Sequence, residues 1–202
     1  MLRELTRYIG LVVVHCSDSL DEDSLFRRSG AGLVMHTSVQ EIDDWHAKRG
    51  FRRTDAARQR FNPELRAIGY HLVIYRKGVI ATGRAFSEVG AHARGFNAHS
   101  LGICLVGRSR FTPAQWISLA NVIGDLGREF KRRVVPFVAD APSADDEGSV
   151  LRLCGHRDLS PDLDHDGTVE PSEWNKNCPN FDVRAWFEAG MTPVPEHVWS
   201  AA

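Results

Sequence analysis

The sequence lacks an excess of charge of either sign, which excludes one large class of partners. Its 202 residues include 25 lysines and arginines against 26 aspartates and glutamates, for a formal net charge of -1. Proteins that hold nucleic acid through bulk charge are strongly basic. We therefore expect no nucleic-acid partner.

Long hydrophobic runs are also missing. The apolar stretch at residues 11–14, LVVV, is far too short to span a bilayer. Residues 1–10 are too polar for the apolar core of a signal peptide. These features predict synthesis in a cytoplasm, no export route of the chain's own and no insertion into a membrane.

Cysteine is scarce, and its spacing excludes short metal-binding or redox motifs. The four cysteines are Cys16, Cys104, Cys154 and Cys178, and none forms a C-x-x-C pair. Thiols of a cytoplasmic chain are usually reduced. The simplest interpretation is four free thiols, each a small buried hydrophobe unless its neighbours indicate otherwise.

Strands alternate with helices and with hairpins, which predicts a single α/β domain with a central mixed sheet flanked by helices. Apolar, β-branched segments predict strands at 10–16, 70–75, 101–106 and 151–154. Capping patterns predict helices after Ser38 and after Thr112, and a short closing helix at 182–188. We expect this domain to cover residues 1–190, followed by a loose tail at 191–202.

Two histidines and a cysteine, far apart in sequence, are candidate metal ligands. His15 ends a predicted strand, His156 follows another, and Cys178 precedes the closing helix. Two imidazoles and one thiolate suit a tetrahedral zinc site with an open fourth position. Their separations match no zinc finger, and a lone histidine is more often an ordinary core or surface residue. Periodicity alone leaves both interpretations open.

Several motifs, in order along most of the chain, resemble the zinc-dependent N-acetylmuramoyl-L-alanine amidases, in particular phage endolysins, whose fold peptidoglycan recognition proteins share. The motifs are VVVHCSDS (12–19), WHAKRG (45–50), IGYHLVIYRKGVIATGR (68–84), GAHARGFNAHSLGICLVG (90–107), FTPAQ (111–115), GHRDLSP (155–161) and CPNFDVRAWF (178–187).

This resemblance implies a fold, a cofactor and site residues. It implies that His15, His156 and Cys178 bind catalytic zinc. It also implies active-site roles for Tyr70 of "GYH" and for Lys176, two residues before the cysteine. The family's alternative base, a glutamate, has no clear match in this sequence. Without the resemblance, Tyr70 would be interpreted as core filling and Lys176 as a surface charge.

Two further histidines, His92 and His99, lie in the glycine-rich segment near the expected groove. Imidazole is suited both to contacts with a polar substrate and to structural hydrogen bonds. We expect His92 and His99 to contact the glycan or the peptide, with a structural role as the alternative.

An acidic segment at residues 162–173 is inserted between His156 and Cys178, and it fits the calcium-loop pattern D-x-D-x-D-G-x5-E. Calcium prefers six to eight oxygen ligands, and close carboxylates without a cation repel one another. The pattern therefore favours a structural calcium site over a solvated acidic loop. The expected ligands are Asp162, Asp164, Asp166, the carbonyl of Thr168, and Glu173, with Gly167 at the turn.

Together these features predict a monomeric hydrolase that cleaves bacterial peptidoglycan between N-acetylmuramic acid and L-alanine. We expect it to be made in the host cytoplasm and to act on the cell wall after the membrane is permeabilised. The main alternative is a non-catalytic peptidoglycan-binding recognition protein of the same fold, which need not keep all three ligands. A zinc peptidase that cleaves elsewhere in the stem peptide is a third possibility.

Overall fold

The computed structural model describes residues 6–28, 35–138, 148–166 and 169–200. Eight strands and four α-helices make up its regular elements. The strands are β1 (Leu11–Cys16), β2 (Arg27–Arg28), β3 (Met35–His36), β4 (Leu72–Ile74), β5 (Ile80–Thr82), β6 (Ser100–Leu105), β7 (Arg133–Pro136) and β8 (Val150–Gly155). The helices are α1 (Ser38–Lys48), α2 (Asp55–Arg60), α3 (Pro113–Phe130) and α4 (Val183–Glu188).

Six of the strands form one sheet, in the order β5-β4-β6-β1-β8-β7. The β4–β5 pair is antiparallel and the other four pairings are parallel, so the predicted mixed sheet is confirmed. β1 lies at the centre, with Val13 opposite Gly102 of β6 on one side and Cys154 of β8 on the other. A central strand is covered on both faces, which explains why every residue of β1 is buried and why most of them are apolar.

The two faces of β1 pack against different layers. Val12 and Val14 join the main core, which includes residues of α3 and α4 such as Trp116 and Trp186. Leu11, on the opposite face, clusters with Val13 and Cys154. Because side chains alternate along a strand, His15 lies on the same face as Leu11 and Val13.

Helix starts follow the local chemistry of the sequence. Thr112 caps α3 as predicted, and its hydroxyl accepts the Gln115 N–H at 3.1 Å. α1 is capped by Thr37 rather than Ser38, because the Thr37 N–H donates to Gln40 Oε1 at 2.9 Å. Ser38 instead donates its hydroxyl to the carbonyl of Ser24.

The C-terminal segment differs from the expectation of a loose tail. Met191, Val194 and Val198 pack against the main core. The Trp199 N–H also donates to the Phe111 carbonyl at 2.9 Å. Three apolar side chains and a backbone hydrogen bond therefore fix this segment on the domain, as far as Trp199.

Within the part of the chain that the structure describes, no helix has both the length and the apolar character needed to cross a bilayer.

Candidate metal centre

The two candidate histidines lie at the same edge of the sheet. His15 is the fifth residue of β1, and His156 directly follows the last residue of β8. β1 and β8 are adjacent and parallel, so their carboxyl ends meet there, which is where open α/β sheets bind ligands. The centroids of the two imidazole rings are 4.6 Å apart.

Backbone contacts bring Cys178 to the same point. The Arg157 N–H donates to the Cys178 carbonyl at 2.8 Å, and the Cys16 N–H donates to Cys178 Sγ at 3.3 Å. Cys178 Sγ lies 3.9 Å from His15 Nδ1. One donor atom each from His15, His156 and Cys178 lie within 4.8 Å of one another, a spacing that suits a common ion.

The protonation of this donor set fits zinc. Burial is the main cause that lowers the pKa of His156 to about 4 and that of His15 well below its ordinary value, so both rings are neutral near pH 7. The Cys16 thiol and burial raise the pKa of Cys178. A divalent cation displaces that thiol proton when it binds. Two neutral imidazoles and one thiolate form a nitrogen and sulfur donor set. Such a set binds zinc in preference to calcium or magnesium.

The His92 ring packs against the His15 ring and is partly buried. Its Nδ1 is 3.1 Å from His15 Nε2, while His15 Nδ1 is the nitrogen on the side of Cys178. The His92 ring is wedged between two glycines, since a Cβ at Gly90 or Gly102 would approach it to 2.5 or 2.6 Å. The structure thus gives His92 a contact with a candidate ligand, which the sequence did not indicate.

His99 has a different position. It is the last residue of a short 3-10 helix, Asn97–His99. His99 is not among the residues that line the two cavities next to His15 and His156. Its predicted contact with substrate stays a prediction.

Tyr70 and Lys176 share the cavity that the candidate ligands border. The cavity has a volume of about 470 Å³, and its walls include His15, His156 and Cys178. The Tyr70 ring centroid is 5.1 Å from that of His15. Burial raises the pKa of Tyr70 well above its ordinary value, so its phenol keeps its proton near pH 7. Lys176 is exposed in the wall.

A second cavity of about 450 Å³ continues the first, and the two share His92, His156 and Lys176. Together they form a groove that contains the candidate metal centre. A larger cavity of about 970 Å³, beside α2, has no candidate site residue in its described walls.

Arg157 belongs to the motif GHRDLSP, but no sequence pattern indicates a role for it. The Arg157 guanidinium lies 4.2 Å from the ring centroid of Trp174 and 3.2 Å from a carboxylate oxygen of Asp182. Arg157 therefore links His156 to the acidic insertion and to the start of α4. The sequence around Arg157 gives no indication of this contact, because Trp174 lies 17 residues farther along the chain.

The acidic insertion brings its carboxylates together in two overlapping groups. Asp162, Asp164 and Glu173 form one, and Asp164, Asp166 and Glu170 form the other. Two backbone N–H groups, those of Leu163 and Glu170, donate to the two oxygens of Glu173 and lower its pKa. The predicted ligand Thr168 and the turn residue Gly167 lie outside the described residues.

Comparisons with known proteins identify the family of the chain. The family model described as N-acetylmuramoyl-L-alanine amidase matches residues 6–180. The endolysin of Enterobacteria phage T3 is 29% identical over 185 residues, which cover 88% of this chain and 84% of that protein.

Solved structures share the fold. The amidase LysC of Clostridium intestinale URNW has a TM-score of 0.53 and 22% identity, with 91% of this chain and 83% of that chain covered. Drosophila PGRP-LB has a TM-score of 0.51 and 20% identity, with 98% and 88% covered. The family model spans most of the chain, and we conclude that the protein belongs to the N-acetylmuramoyl-L-alanine amidase family.

Proposed function

We propose that the protein is a zinc-dependent peptidoglycan hydrolase that cleaves the amide between N-acetylmuramic acid and L-alanine. The observation that carries this proposal is the grouping of His15, His156 and Cys178 at the floor of a groove, with Lys176 and Tyr70 in the same wall. Similarity to a phage endolysin supports peptidoglycan as substrate, and it supports release from a host cytoplasm to the wall.

Each residue has a distinct role in this proposal. His15, His156 and Cys178 hold the metal. Bound zinc supplies a Lewis acid for a carbonyl oxygen and lowers the pKa of a water to about 7. Lys176 donates to the oxyanion that develops when the amide carbonyl is attacked. Tyr70, a protonated phenol, donates a second hydrogen bond in the same cavity and orients the reacting groups.

Product analysis of digested, purified peptidoglycan tests the cleaved bond. We expect new N-terminal alanine and no new reducing sugar ends. Cys178→Ser should lose most of its zinc and its activity. Digestion that releases a different N-terminus would contradict the proposed bond. Binding to the wall without any product would favour a non-catalytic recognition protein.

Substitution of Lys176 tests the proposed donor. Lys176→Met should lower kcat on the order of a hundredfold, the typical effect of removing one oxyanion donor, with zinc content unchanged. Lys77→Met is a matched control, because Lys77 is also exposed but lies in the β4–β5 turn. Equal kcat values for the two variants would exclude the role of Lys176.

We also propose that the acidic insertion binds calcium. The two groups of carboxylates support this proposal, and so does Glu173, which already joins Leu163 to Glu170 across the loop. A cation would relieve the repulsion among the carboxylates and hold the segment that leads to Lys176 and Cys178.

Calorimetric titration of zinc-loaded protein with calcium provides the test. Wild-type protein should bind one calcium and gain thermal stability, while Glu173→Gln should do neither. Glu188→Gln, at the end of α4, is the control. No binding by wild-type protein at millimolar calcium would contradict a calcium site.

A further inference from the structure

The metal centre contains a second thiol that the proposed reaction does not use. Cys16 is the last residue of β1, next to His15, and its Sγ lies 3.9 Å from Cys178 Sγ. The other two cysteines are fully buried: Cys104, opposite His15 on β6, and Cys154 on β8 are 0% and 1% exposed and belong to two separate hydrophobic clusters. Cys16 and Cys178 are therefore a close pair within the chain.

The geometry of this pair is near that of a disulfide. The sulfur atoms need to approach by about 2 Å to reach the bond length of about 2.05 Å. The Cys16 N–H already donates to Cys178 Sγ at 3.3 Å, so the Cys178 sulfur lies against the backbone of Cys16. The proposed bond requires the two side chains to close this remaining distance.

An oxidant can reach the pair. Both Cys16 and Cys178 line the cavity of about 470 Å³, and Cys178 is partly exposed there. Susceptibility of a thiol to peroxide depends on such access.

We propose that Cys16 and Cys178 form a reversible disulfide in the zinc-free protein and that this bond blocks the metal centre. The inference rests on the proposed role of Cys178 as a zinc ligand. Hydrogen peroxide is the oxidant: one thiol becomes a sulfenic acid and releases one water. The second thiol displaces the sulfenic hydroxyl, which leaves as a second water. The two thiols together lose two electrons and two protons, which reduce the peroxide to two waters as its O–O bond breaks.

Zinc and the disulfide compete for the same sulfur. A thiolate that ligates a metal has its lone pair engaged, and a disulfide sulfur offers no thiolate to the metal. Loaded protein should therefore resist oxidation of Cys178, and oxidised protein should not take up zinc. Cys16 in turn protects Cys178, because a disulfide is reducible whereas a sulfinic acid is not.

Peptide mapping of the zinc-free protein after peroxide treatment tests the bond directly. Trypsin separates Cys16 and Cys178 into the peptides 8–27 and 177–184. We expect these two peptides linked, with a mass two hydrogens below their sum, and two alkylated cysteines instead of four after unfolding. The zinc-loaded protein under the same treatment should give four. Four alkylated cysteines in the zinc-free sample, or separate peptides with oxidised sulfur, would overturn the proposal.

Zinc uptake gives an independent reading. After long peroxide exposure, dithiothreitol should restore zinc uptake to the wild-type protein but not to Cys16→Ser, in which Cys178 has no partner and proceeds to sulfinic acid. Equal recovery of the two proteins would overturn the protective role of Cys16. Reduced protein that takes up no zinc would overturn the proposed function as well. Failure to cross-link in protein that does take up zinc would overturn this inference alone.

Discussion

At the scale of single residues, the site depends on which nitrogen of His15 faces which neighbour. Nδ1 faces the Cys178 sulfur and Nε2 faces His92 Nδ1. A histidine that ligates a metal usually donates its other ring N–H to a fixed acceptor, which sets the tautomer and the ring orientation. His92 Nδ1 lies where such an acceptor would be, and its own Nε2 lies 3.4 Å from the hydroxyl of Ser100. We therefore propose that His92 positions His15, a candidate ligand.

Removal of this acceptor should weaken zinc binding. His92→Ala should lower zinc affinity about 10- to 100-fold, the range typical of such outer contacts, as measured by competition with a chromogenic chelator. His99→Ala is the matched control, from the same segment but outside both cavity walls. His92→Asn should recover part of the affinity, because its amide oxygen can accept the same N–H. Equal affinities for His92→Ala and His99→Ala would show that His92 does not orient His15.

At the scale of elements, the acidic insertion is attached to the metal centre by its C-terminal end. Trp174 stacks under the guanidinium of Arg157, and the Asn175 N–H donates to Ser160 Oγ at 3.0 Å. Arg157 in turn holds the Cys178 carbonyl through its backbone N–H. Arg157, which follows His156, therefore contacts both the acidic insertion and the segment of Cys178.

Loss of the contact between Arg157 and Trp174 should weaken the retention of zinc rather than the binding of substrate. A cation–π contact contributes about 0.5 to 2 kcal/mol, and Trp174→Ala also removes its packing. We expect faster zinc release to a chelator and a lower kcat with KM unchanged, and Trp174→Phe should restore both. Trp199→Ala removes a similar stack, 4.7 Å from Arg76, at the C-terminal segment. If Trp199→Ala releases zinc as fast as Trp174→Ala, the effect is one of general stability.

Elements with a regular buried face could be predicted from the sequence. Elements with irregular burial could not. β1, β6 and α3 are long and apolar with clear ends, and the structure confirms them within two residues. β7 was missed, because Arg133–Pro136 is short, only partly buried and ends in a proline, which is unusual inside a sheet. The resemblance selected His15, His156 and Cys178. The contacts of His92, Arg157 and Cys16 were missed, because they join segments far apart in the chain and have no local pattern.

At the scale of the whole molecule, buried neutral histidines couple folding to pH. His71 is 0% exposed, and its ring is hydrogen-bonded to two other segments of the chain. Its Nδ1 accepts the Gly102 N–H at 2.9 Å, so its proton lies on Nε2, which donates to the Glu88 carbonyl at 3.0 Å. Burial, with a smaller effect of Arg7 and Arg84, lowers the pKa of His71 to about 3, against the hydrogen bond to Glu88.

This shift makes acid destabilise the fold. Between pH 6.5 and about 3 the unfolded chain binds a proton at His71 and the folded protein does not, so stability falls as pH falls through this window. His71→Asn keeps an acceptor for the Gly102 N–H but does not titrate. Urea unfolding of the zinc-free protein between pH 6 and pH 4 should therefore give a weaker pH dependence for the variant. The difference corresponds to one proton, or about 1.4 kcal/mol per pH unit. A chelator is needed throughout, because zinc binding to His15 and His156 would add its own pH dependence. Parallel stability curves for the two proteins would mean that His71 is protonated in the folded state or is hydrated when folded.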